Sequence, residues 1–114
     1  LSVRILFLGG DERQEAHQEP VHEAVEERDD RIHVDFYHPG WSSNWGSDLD
    51  RVLQMLPDYD GVALMRFIRT EFGRQLRQEL DVWYPCTTAG RRSMTESIVQ
   101  AARMARKKLR SEAE

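Results

Sequence analysis

Val3-Arg4-Ile5-Leu6-Phe7-Leu8-Gly9-Gly10 decides the fold. An apolar run rich in strand-forming residues that stops abruptly at two glycines has the pattern of a buried parallel strand ending in a tight turn. The rest of the chain repeats this unit. After an acidic loop, Pro20 stands where a first helical turn tolerates proline, and Val21, Ala24 and Val25 form an apolar stripe that runs to Arg28. Ile32, Val34 and Phe36 then alternate with polar residues before His38-Pro39-Gly40, the pattern of an outer strand with one wetter face.

Ser47-Asp48-Leu49-Asp50 has capping-box spacing for a second helix that buries Val52, Leu53 and Leu56. Pro57-Asp58-Tyr59-Asp60 makes a turn into Gly61-Val62-Ala63-Leu64-Met65-Arg66-Phe67, a nearly continuous apolar stretch suited to a strand covered on both faces. A third helix is expected from Thr70 to Leu80 and a fourth strand over Val82-Trp83-Tyr84-Pro85. Ser93-Met94-Thr95-Glu96 repeats the capping spacing before a last helix that turns Ile98, Ala102, Ala105 and Leu109 inward. Strict alternation of strand and helix predicts a three-layer α/β domain with a four-stranded parallel sheet in order 2-1-3-4. In such sheets ligands settle beyond the carboxyl ends of the strands where the winding reverses, here between the first and third strands.

The chain has 114 residues, enough for one hydrophobic core and too few for two of ordinary size. The expected layout is a single domain over residues 1–110 with 111–114 as a disordered tail. A hydrophobic fraction of 39% argues against disorder, and no apolar run approaches the roughly 20 residues needed to cross a bilayer. The first residues lack an initiator methionine and a signal-peptide pattern, which suggests a domain cut from a longer polypeptide with adjoining modules. A lone cysteine, Cys86, forms no internal disulfide, so a cytoplasmic location is expected. The net charge of −4 hides an asymmetry. Asp11 to Asp35 is crowded with carboxylates, whereas Arg91 to Arg110 carries arginines and lysines against Glu96 alone.

The strand ends collect the residues with chemistry. Gly9, Gly10, Asp11 and Arg13 form a first turn whose amides and arginine suit an anion, although Asp11 and Glu12 repel phosphate unless Arg13 or another cation intervenes. An ordinary strand-to-helix turn is an equally good reading. Arg66 and Arg69 flank an apolar pair after the third strand. They are either anion ligands, since a guanidinium fork matches phosphate, or partners of Asp11, Glu12, Asp60 or Glu71. Thr87, Thr88, Gly90, Arg91, Arg92 and Ser93 precede the last helix, where an N-terminus attracts anions. Trp41 is placed either to stack on a base or sugar or to cover a sheet edge. His17, His22, His33 and His38 lack metal-ligand spacing, so no metal is expected, and nothing in the sequence marks a cofactor. Arg103, Arg106, Lys107 and Arg110 share one face of the last helix, a solvated face or a contact for nucleic acid or an acidic partner, the former being favoured.

Cys86-Thr87-Thr88-Ala89-Gly90-Arg91-Arg92-Ser93 resembles the Cys-x5-Arg-Ser/Thr loop of cysteine-dependent phosphatases. The resemblance implies Cys86 as nucleophile and Arg92 as phosphate clamp, with no histidine before the cysteine, a glycine one position late and no evident general acid. A buried strand-end cysteine is the competing reading. More broadly, the strand ending in Gly-Gly, the Asp-Gly-Val-Ala-Leu-Met strand, the arginine-bearing helix and the Thr-Thr-Ala-Gly turn resemble an uncharacterised family of small bacterial Rossmann-like domains often appended to other modules. That resemblance implies a Rossmann-like fold and a nucleotide or phosphoryl ligand, without catalytic residues to transfer. Arg66 to Gln75 departs from the family's pattern. The leading expectation is therefore a regulatory or sensory module for a phosphate-bearing small molecule, with a nucleotide as the expected class. The alternatives are a phosphatase or phosphoryl-transfer enzyme using Cys86 and Arg92, and an interaction or homo-oligomerisation domain without a small ligand.

Overall fold

The computed structural model describes residues 1–39, 45–65 and 70–113. Its elements are β1 (Val3–Leu8), α1 (Glu12–Glu15), α2 (Gln18–Arg28), β2 (Ile32–Tyr37), α3 (Trp45–Met55), a 3-10 turn (Leu56–Asp58), β3 (Gly61–Met65), α4 (Thr70–Glu79), β4 (Trp83–Cys86) and α5 (Arg91–Ala113). All strand pairs are parallel and the order is β2-β1-β3-β4, as the alternating pattern predicts. Helices α2 and α5 cover one face through Val21, Val25, Met94, Ile98 and Ala102, while α3 and α4 cover the other through Leu49, Val52, Phe72 and Leu76. The result is a Rossmann-like three-layer αβα domain. No helix among the described residues is long and apolar enough to cross a membrane.

The burial pattern explains the order. In β1, Ile5 and Phe7 fill the α2/α5 side and Leu6 and Leu8 the α3/α4 side, all fully buried. A strand apolar on both faces is stable only in the middle of a covered sheet, and β3, buried throughout, lies beside it. β2 keeps Ile32 and Val34 inside and His33 and Asp35 outside, which suits an edge. β4 holds Pro85 without losing a bond. The Val62 amide donates to Val82 O at 3.0 Å, which turns even-numbered β4 residues toward β3 and places the missing Pro85 N–H on the outer side.

Several local expectations change. The acidic loop is a helical turn, α1, in which the Asp11 side chain caps the backbone and Gln14 reaches back to the Asp11 amide. Ser47 and Ser93 do not start their helices, which begin two residues earlier at Trp45 and Arg91. Residues 111–113, expected in a tail, continue α5. Arg106 leaves the solvated face: with only 13% of its side chain exposed, it meets Asp29 at 2.7 Å and donates from Nε to Leu1 O at 2.9 Å. These contacts, with Arg28–Glu96 at 3.1 Å and the Lys108–Asp81 pair, join the basic last helix to acidic parts of the domain.

Two predictions follow from the packing. Gly9 has φ of +116°, and a Cβ there would sit 2.7 Å from Met65 Cβ. Gly9→Ala therefore combines backbone strain with overpacking and should cost about 3 kcal/mol in urea unfolding; a change within about 0.5 kcal/mol would show that the turn is slack. The Arg31 amide, followed by the Arg106 guanidinium, holds the Asp29 carboxyl down to about 2, below its ordinary 3.8. The stabilisation is complete above 3.8 and is lost as pH falls through about 2. Asp29→Asn should be less stable than the parent at neutral pH, with the two stabilities converging near pH 2 in a denaturation series.

Candidate functional site

At the carboxyl end of the sheet the chain leaves β1 between β2 and β3. Gly9 closes this point: its N–H donates to Tyr37 O at 3.0 Å, and its carbonyl accepts from His38 Nδ1 at 2.7 Å. Gly10, with φ of +81°, makes room for Gln14, whose Oε1 would lie 2.6 Å from an added Cβ. Both glycines thus serve packing of the protein itself. The Asp11 amide is bonded to Gln14 Oε1 and the Arg13 amide to Asp11 Oδ1, each at 2.9 Å. Arg13 also grips the Asp11 carboxylate through Nε and Nη2, and this side-chain bond is the main cause that lowers the Asp11 carboxyl below its usual range. The first turn is an internally bonded corner, acidic on balance through Glu12 and Glu15, with few amides left for an anion.

His38 is the side chain that sequence reasoning passed over. It follows β2 directly and stacks obliquely against Phe7 and Phe36, with ring centroids 6.0 and 5.9 Å away. Because Gly9 O only accepts, Nδ1 carries a proton, which leaves Nε2 as the ring's second polar atom. Nε2 is buried and has no hydrogen-bond partner among the described residues. An unmet polar atom of this kind costs about 1–3 kcal/mol, which a ligand donor would recover. The available signal was a histidine at a strand's carboxyl end before Pro39, a position easily dismissed when histidines are searched only for metal spacing.

Across the sheet, β4 lies two strand spacings from β1, about 10 Å. Cys86 is buried and its Sγ donates to Thr88 O at 3.3 Å, with Ser93 Oγ at 3.5 Å. A carbonyl facing the sulfur is the opposite of the amide cradle that a thiolate nucleophile needs, so the loop's geometry favours the buried-cysteine reading. Thr87, Thr88, Gly90, Arg91 and Arg92 are exposed. The Met94 amide closes the first turn of α5 on Gly90 O at 3.0 Å, and no acceptor is assigned to the Arg91, Arg92 and Ser93 amides among the described residues. The first turn holds no acidic residue. Arg91 Nε donates to His17 Nδ1 at 3.0 Å, tying this helix end to the turn before α2. Arg92 lines an open groove of about 610 Å³ between α2 and α5, facing Ala24 and Glu27 as well as Arg28.

Trp41, Arg66 and Arg69 lie outside the described residues. Of the carboxylates offered as their neutralising partners, Asp11 is engaged by Arg13, Asp60 accepts the Arg4 amide at 2.8 Å, and Glu71 is bonded to Arg74 and Gln75. Among the described residues no group of three His, Cys, Asp or Glu side chains is placed to hold a metal ion. The structure therefore gathers two clusters at one end of the sheet: Gly9, Asp11, Gln14 and His38 beyond β1 and β2, and Cys86 with the α5 N-terminus beyond β4. No protein-family model, curated protein or solved structure matches the chain.

Cys86 supplies a direct check of this geometry. In the folded domain a thiol reagent should label it at least about a hundredfold more slowly than in urea, because labelling waits for the domain to open. Rapid labelling of the native protein would instead mark an accessible, reactive sulfur.

Proposed function

We propose that this chain is a ligand-binding module, regulatory or sensory in role, that holds a phosphate-bearing small molecule at the carboxyl end of its sheet, a nucleotide being the class to test first. The observation that carries this reading is the start of α5. Unsatisfied first-turn amides and two exposed arginines stand there with no carboxylate in the same turn. That combination attracts an anion through directed N–H groups, the helix dipole and guanidinium charge together. The phosphate would rest on the amides of Arg91 to Ser93, with Arg92 free to turn toward it.

The second support is His38. Its buried Nε2 has no partner among the described residues and would pair with a ligand hydroxyl or amine once a small local movement opens a path to it. A molecule with a phosphate at one end and hydrogen-bond donors at the other fits both clusters, whereas inorganic phosphate would engage only the helix end. The Rossmann-like order favours the same place, because its winding reverses between β1 and β3. In this reading the Gly9–Gly10 turn shapes the floor and leaves phosphate binding to α5.

Thermal melting against nucleotides, cyclic nucleotides and phosphorylated sugars tests the proposal. A ligand at 100 times its dissociation constant should add about 2.7 kcal/mol and raise the melting temperature by several degrees. Arg92→Ala should abolish most of that shift, and His38→Phe should weaken it by about tenfold in affinity. No shift with any compound, or an undiminished shift in Arg92→Ala, would sink the reading.

A further inference from the structure

The two edges of the sheet are finished differently. On β4 the outward positions are Trp83 and Pro85, and the proline removes one of the donors an incoming strand would need. On β2, the bonds from the Val3 amide to Arg31 O and from the Gly9 amide to Tyr37 O turn odd-numbered residues toward β1. The N–H and C=O groups of Val34 and Phe36 therefore face outward, and among the described residues nothing is bonded to them. They border an open groove of about 490 Å³ whose opposite wall is α2, through Gln18, Glu19 and His22. Glu19 and, two turns further on, Glu26 give the α2 side of this edge an acidic rim, and both are exposed, whereas Asp35 points to the other face of the sheet, where it is bonded to Tyr59 and Arg4. Among the described residues, the one ion pair of Glu26 is with His22, at 4.0 Å.

We infer that the β2 edge docks an extended basic segment of a partner protein, which adds to the sheet as a fifth strand. Free main-chain donors and acceptors supply the affinity, and the carboxylate rim selects lysine or arginine side chains on the incoming strand. A second copy of this chain is a poor occupant, because pairing β2 with β2 brings two acidic α2 helices together. The chain's own basic stretch is equally unsuited, being held in α5. The groove adjoins the carboxyl-end site through the Phe36–His38 stack, but the strand-edge donors and acceptors are not the α5 amides or His38 Nε2, so peptide and small ligand use different groups.

The test is titration calorimetry of the whole chain with a capped peptide alternating lysine and valine, alongside its glutamate–valine twin and a version N-methylated on the backbone amides that would face β2. The lysine peptide should bind, while the other two should be at least about tenfold weaker. Glu19→Lys with Glu26→Lys should weaken binding to a similar extent. Val34→Pro removes an outward N–H as Pro85 does on β4, and should fold with unchanged circular dichroism yet lose the peptide. Equal binding of the N-methylated peptide would reduce the effect to charge attraction and overturn the proposal. So would the absence of binding, or a dimer by light scattering that Val34→Pro dissolves.

Discussion

The contact of Gly9 with Met65 is the constraint on which the rest of the structure depends. Only a residue without a side chain can leave β1 at positive φ and pass so close to the end of β3. The same residue continues the β1–β2 ladder through its N–H and fixes the His38 ring through its carbonyl. One position therefore locks three strands together where the winding reverses. The ladder would otherwise fray there, and the floor of the candidate site would lose its shape.

The fold was legible because its strands declare their places by apolar pattern. β1 and β3 are apolar on both faces and must be central, while β2 alternates and must be outer. Helix starts were less legible. Ser93 has the spacing of a cap, yet its hydroxyl lies beside Cys86, and Thr95 bonds back to Arg91 O inside the helix. Serine and threonine have such local alternatives, so spacing alone does not fix the first turn. The reverse error occurred at Asp11, where a true capping box with Gln14 sat inside a stretch read as acidic loop. The candidate site was legible in part: the α5 start was marked by its residues, but the satisfied amides of the first turn and the orphaned His38 nitrogen are products of tertiary placement.

The charge asymmetry also acquires a physical meaning in three dimensions. The acidic α2 region and the basic α5 are far apart in sequence but pack side by side, linked by Arg28–Glu96 and Arg106–Asp29. The half-exposed Arg28–Glu96 pair adds little, whereas the largely covered Arg106–Asp29 pair counts for more, and both help orient two helices that apolar packing already holds. The acid left over on α2 borders the β2 edge, while at the start of α5 Arg91 is bonded to His17 and Arg92 lines the groove against α2.

The central claim, that anions bind at the carboxyl end through the start of α5, is tested most directly by amide and imidazole NMR shifts during titration with adenosine triphosphate and, separately, inorganic phosphate. The account predicts that the Arg91, Arg92 and Ser93 amides move with both, and that the His38 ring moves with the nucleotide. Shifts confined to Arg103, Lys107 and Arg110 on the far part of α5, or no shifts at all, would contradict it.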